Sequence, residues 1–145
     1  MKPWYTGVRW TATLTAGVVV MACTLLATTL VVTVYAFYLA FQARGAPDQE
    51  LISQFAARVA PWLTPLLQVI FTLVAAALVS RRSRADPGVQ GLLVGIITAL
   101  VGFLYPIAFG GRPDLLDAGY FVLVCGAGWL GGRLVRRSAA QGAVS

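Results

Sequence analysis

The chain has 145 residues, of which 59% are hydrophobic and only 11% charged, with a formal net charge of +6. Soluble domains carry about 25% charged residues, so a water-soluble globule is excluded and the mean hydropathy of +0.80 points to a bilayer. Histidine is absent, which removes the commonest metal ligand, the usual haem ligand and the usual general base together.

The first apolar run covers about 10–41. A cleaved signal has an apolar region of roughly 7–15 residues, so this run predicts a retained helix. At 1.5 Å per residue it exceeds a hydrocarbon core of roughly 30 Å, so it should tilt or project. Trp4, Tyr5 and Trp10 at one end, and Tyr35, Phe37 and Tyr38 at the other, are aromatic residues suited to the two membrane interfaces. The run is rich in threonine, at positions 11, 13, 15, 24, 28, 29 and 33. These do not keep to one helical face. They are expected to bond carbonyls one turn back or to touch other helices rather than line a pore.

A polar segment follows. Pro47, Asp48 and Glu50 suit a helix start, because the N-terminal end of a helix favours negative charge. Leu51, Ile52, Phe55 and Val59 then share one face, which predicts a short amphipathic helix over about 48–59 lying on the outer surface. The second span should occupy about 62–80. It contains Gln68, the most polar residue expected deep inside a span, with Thr72 one turn deeper. A tight basic turn with Arg81, Arg82 and Arg84 leads to Asp86 and Pro87.

The third span, about 89–109, carries Gly88, Gly95 and Gly102 at seven-residue spacing and Gly91, Gly95 and Ala99 at four. Lipid tails give helices no hydrophobic incentive to associate, so close approach depends on such small residues. The fourth span, about 118–134, contains Gly126, Gly128, Gly131 and Gly132, and should pack tightly with the third or with other helices. Asp117 is expected to cap it. Pro106 cannot donate to the Gly102 carbonyl, which predicts a kink and a freed acceptor. Gln68, Thr72, Tyr105 and that carbonyl form the expected buried polar cluster.

Charges set the orientation. Alternate connecting segments place eight basic residues on one side and three on the other. Positive residues in short loops stay cytoplasmic, so both termini and the 81–87 turn are expected inside. Arg81, Arg82, Arg84, Arg136 and Arg137 then form a cytoplasmic basic border, suited to anionic lipid heads. Spans two and four both end in arginines followed by serine, but topology alone demands arginines there, so duplication is not required.

The basic turn from Arg81 to Arg84, the stretch from Gly91 to Gly95, and the glycine-rich 126–132 before the terminal arginines resemble small uncharacterised bacterial four-helix membrane proteins. The resemblance covers spans two to four. It implies the fold and a bacterial inner membrane, and carries no chemistry and no site residues.

The expected fold is therefore all-α: one integral membrane domain over 1–145, with four transmembrane helices and the surface helix. No paired-carboxylate site, nucleophile–base pair, CxxC, GxxxxGK or GxGxxG is present, so no enzyme, cofactor or metal centre is expected. Cys23 and Cys125 fall inside spans and read as small apolar fillers of buried helix surface. The arginines border a membrane rather than forming a solvent-facing surface, which argues against nucleic acid. The expected partners are the lipid bilayer and other membrane helices. The expected function is a non-catalytic structural or accessory subunit, in a hetero-complex or homo-oligomer. The alternative is a small transporter or channel with a polar pathway near Gln68 and Tyr105.

Overall fold

A computed structural model describes residues 7–46, 48–83, 85–108 and 115–141. Within these, four helices follow one another: α1 (Trp10–Ala43), α2 (Gln49–Arg81), α3 (Pro87–Ala108) and α4 (Leu115–Gln141). Each is long and apolar enough to cross a membrane. Helix starts are set by local chemistry. The Asp48 side chain accepts from the Glu50 N–H at 2.8 Å and opens α2. Asp86 accepts from the Gly88 and Val89 N–H groups at 2.8 and 3.3 Å, and Pro87 takes the first position of α3. Arg44, in the left-handed region at φ 50°, ends α1.

The helices run alternately up and down. The N-termini of α1 and α3 and the C-termini of α2 and α4 meet at one end, where Ser83 bonds to Gly7 and Gln90 to Arg9. This basic end contains Arg9, Arg81, Arg82 and Arg133. The most extensive contact is α3 on α4. α2 and α3 touch every other helix, whereas α1 and α4 do not meet among the described residues.

The interior is small and mixed. Val20, Ala76, Val94, Ala99, Val124 and Ala127 are buried together with Thr13, Thr24, Gln68, Thr72, Ser80, Gln90 and Thr98. Large apolar side chains such as Leu26, Leu30, Leu66 and Leu123 are exposed. In water this distribution would be untenable. In lipid it is expected, because tails cover leucine while polar groups turn inward to find partners.

The region from Asp48 to Val59 differs from the expectation. It is no separate surface helix but the first turns of α2, which runs on through Pro61 and Pro65. Each proline removes one hydrogen bond, a loss that membrane helices tolerate when neighbouring helices pack alongside. Here α1 does so: Tyr35 stacks on Phe55 with ring centroids 3.8 Å apart, and Thr28 meets Thr64 at 3.3 Å. Phe55, from the face read as membrane-lying, is thus turned toward α1, while Leu51 stays exposed.

Register then fixes an uneven height. Gln68 sits level with Thr98, and α3 ends ten residues later at Ala108. By the same count, α2 before about residue 58 and α1 after about residue 33 extend past α3, by roughly 14 Å at 1.5 Å per residue. α1 is 34 residues long, or roughly 51 Å, against 22 residues and roughly 33 Å for α3. Bringing all of α1 into a core of roughly 30 Å would require a tilt well above the range of about 0–40° seen for membrane helices. The α1–α2 pair therefore projects at the far end.

Two smaller differences complete the comparison. α4 starts at Leu115, so Asp117 lies in its first turn rather than at its cap. α2 stops at Arg81 because Asp86 and Pro87 begin a new helix, whereas α4 continues through Arg136 and Arg137 to Gln141. The ends of spans two and four are not structurally alike.

Candidate functional site

The glycines predicted for packing form a seam between α3 and α4. A Cβ on Gly91 would overlap the Gly128 carbonyl oxygen and come within 2.9 Å of Gly132. One on Gly95 would lie 2.9 Å from the Val124 oxygen, and one on Gly128 would lie 2.5 Å from the Gly91 oxygen. One on Gly132 would overlap the Pro87 oxygen. Backbone meets backbone along this seam, so hydrogen is the only side chain that fits. Gly131 plays the same part toward α2, beside Leu73 and Ala76, while Gly126 faces open space. Gly88 lies near the ring of Trp129, over which the Arg133 guanidinium sits at 4.0 Å. Gly102 belongs to a different contact, discussed below.

At the basic end a fully buried carboxamide ties three segments together. Gln90 donates to the Thr13 hydroxyl at 2.6 Å and accepts from the Arg9 N–H at 3.2 Å and the Ser83 hydroxyl at 2.9 Å. Thr13 in turn donates to the Arg9 carbonyl at 2.8 Å. Gln90 thus replaces the side-chain cap that α1 lacks, since Arg9 supplies none. Gln90 is not evident from the sequence, because its position just after the basic turn suggests water rather than burial. Its place one turn into a glycine-rich span was the available signal.

Gln68 is 2% exposed. Its Nε2 donates to the Thr98 carbonyl at 3.3 Å, one turn deeper than the Gly102 carbonyl expected from the proline. Gly102 permits this: a Cβ there would lie 2.8 Å from Nε2, so only glycine lets the carboxamide lie against the α3 backbone. The Thr72 and Thr98 hydroxyls are buried nearby without a hydrogen-bond partner. Tyr105 is 42% exposed, carries an interaction of its own, and meets Gln68 only as a co-lining residue of one cleft. The side chain of Pro106 lies outside the described residues.

That cleft is a half-open cavity of about 400 Å³ in the half of the bundle away from the basic end. It forms where α1 and α4 fail to meet, with Met21 and Leu25 on one side and Tyr120 and Phe121 on the other. Pro61, Thr64 and Pro65 of α2 and Phe103 of α3 complete the walls, with Gln68 and Gly102 at the inner end. Asp117 also lines it and is already engaged by the protein.

Five of the seven threonines of α1 bond as expected. Thr13, Thr15, Thr24 and Thr33 each donate to the carbonyl four residues back at 2.8 Å, and Thr28 reaches Thr64. Of the basic border, Arg81 and Arg82 are exposed at the basic end. Arg84 and the side chains of Arg136 and Arg137 lie outside the described residues. Cys23 does not fill buried helix surface as expected but is exposed on α1, Cys125 is half-buried on α4, and both are free thiols. Among the described residues no cluster of three metal-ligating side chains exists.

The comparisons with known proteins assign no relative: no family model matches the chain, and no curated protein or solved structure matches it.

Proposed function

We propose that the chain is a non-catalytic subunit of a bacterial inner-membrane assembly, either a hetero-complex or a homo-oligomer, with both ends in the cytoplasm. The orientation is supported by the sequence, whose alternate connecting segments carry eight basic residues against three. The bacterial inner membrane rests on the resemblance carried by the basic turn and the glycine-rich spans.

The observation that carries the subunit reading is the projecting part of α1. Val34, Phe37, Tyr38 and Phe41 recur at i, i+3, i+4 and i+7 and form one exposed ridge. Phe37 is 72% and Phe41 88% exposed, on a segment that stands beyond the end of α3. Lipid covers the lower ridge, from Leu14 to Leu30. The upper ridge rises out of the hydrocarbon: the interface suits Phe37 and Tyr38, and beyond it the exposed Phe41 is costly in water at about 25 cal/mol per Å². A neighbouring helix of a partner or a second copy removes that cost.

A transporter or channel is the competing reading. It needs the cleft near Gln68 and Tyr105 to continue through the basic half of the bundle. There the backbones of Gly91, Gly95, Gly128 and Gly132 are in contact and Gln90 is enclosed, so a pathway would have to run beside this seam or between copies of the chain.

Replacing Phe37 and Phe41 together by serine tests the subunit reading. The variant is expected to fold, because neither side chain is buried, and to lose its partner or its oligomeric mass when extracted in mild detergent. Unchanged assembly by the folded double variant would refute the ridge as the docking face.

A further inference from the structure

We propose that the four-helix cleft around Gln68 is a binding site for a neutral amphiphile: a small apolar or aromatic molecule bearing one hydroxyl or amide donor. This goes beyond the subunit reading, since it requires neither a partner chain nor an oligomer.

Three observations point the same way. The cavity, about 400 Å³, falls in the range of roughly 300–1,000 Å³ typical of small-molecule sites, and residues from all four helices line it. Its walls are largely apolar, with Met21, Phe103 and Phe121 among them. At its inner end stands a carboxamide that is only half used. Gln68 spends one N–H on the Thr98 carbonyl, and its Oε1 accepts from no described residue. Tyr120, which lines the same cleft, has a buried hydroxyl with no partner. A buried polar group left unpaired is destabilising, and a ligand that supplies the missing bond is bound at that atom's expense.

The charge inventory narrows the class. No lysine or arginine lines the cleft, so an anion finds no counter-ion there. Asp117 is already engaged within the protein, so the cleft offers no spare carboxylate to a cation. A neutral hydroxyl has the matching chemistry, since it can donate to a carbonyl-type oxygen such as Gln68 Oε1 or accept from a phenol such as Tyr120. The apolar body of such a molecule reaches the cleft from the bilayer through the gap between α1 and α4.

Photolabelling of the full chain in lipid nanodiscs tests this. The probe is a diazirine-bearing benzyl alcohol, and the competitors are 1-naphthol and naphthalene, which share one ring system and differ by the hydroxyl. Adducts are expected at Met21, Phe103 and Phe121 rather than along the lipid-facing leucines of α1. Competition by 1-naphthol is expected at about tenfold lower concentration than by naphthalene, the discrimination of one buried hydrogen bond. In Gln68→Leu that difference should collapse. Ala60→Phe fills the mouth from α2 without touching Gln68 and should abolish cleft adducts, which keeps the test decisive if Gln68→Leu fails to fold. Adducts spread evenly over the lipid-facing surface, equal competition by the two naphthalenes in the wild type, or undiminished labelling in folded Ala60→Phe would each overturn the proposal.

Discussion

Gly91→Ala is expected to destabilise the bundle by about 2–3 kcal/mol, whereas Gly126→Ala, the same chemical change 35 positions later, is expected to be neutral or mildly stabilising. In isolation alanine is the better helix former by about 1 kcal/mol, so propensity favours both substitutions equally. The environments separate them. The new methyl at position 91 would overlap the Gly128 carbonyl and crowd the Gly132 backbone, and neither is the yielding tip of a side chain. Relief requires α3 and α4 to separate, which loosens the most extensive contact of the fold. At position 126 the methyl meets nothing within 4 Å. Denaturation in mixed micelles, followed by circular dichroism, reads the difference. Equal stability of the two variants would mean that α3 and α4 are not packed backbone to backbone.

The second large effect is expected at Gln90. Gln90→Leu removes a donor to Thr13 and an acceptor shared by the Arg9 N–H and the Ser83 hydroxyl. At about 1 kcal/mol for each bond, the loss should be about 2–4 kcal/mol, and the Arg9 amide should exchange with solvent much faster. Gln68→Leu removes one bond of 3.3 Å and should cost only about 1 kcal/mol. The order of these two glutamines inverts the sequence expectation, in which Gln68 was the principal polar residue. A Gln90→Leu protein as stable as wild type, with a slow Arg9 amide, would contradict the network.

What the sequence made legible follows from which forces act locally. Four helices were readable because a bilayer demands long apolar runs and tolerates no unpaired backbone, so length and composition nearly suffice. The self-satisfying threonines of α1 were readable for the same reason, since a hydroxyl and the carbonyl one turn back belong to one helix. The glycine spacing announced a close contact, and only the three-dimensional register identified its partners: Gly91 with Gly128, Gly131 with α2, Gly102 with Gln68.

The failures are equally physical. Pro47, Asp48 and Glu50 as a helix start, with Leu51, Ile52, Phe55 and Val59 on one face, made the start of α2 look like a surface helix. That inference assumed a chain returning to the bilayer plane, whereas the extra length of α1 gives the segment a helix to lean on. Gln90 was hidden because two of its three partners lie 77 and 81 residues away, in α1 and just before it. Gln68 bonds the Thr98 carbonyl rather than the Gly102 carbonyl freed by Pro106, because Gly102 is small enough to let the carboxamide lie against α3. The cleft has no sequence signature at all. It arises from two helices that do not touch, and an absence of contact leaves no pattern in either of them.

The most direct test of the subunit assignment is extraction of the unmodified chain from its native membrane in a mild detergent, with absolute mass and co-purifying chains determined together. The expected result is a particle larger than the 15.4 kDa chain, containing either a stoichiometric foreign subunit or a defined number of copies. A folded particle containing one copy and no other protein, with Phe37 and Phe41 still exposed, would contradict it.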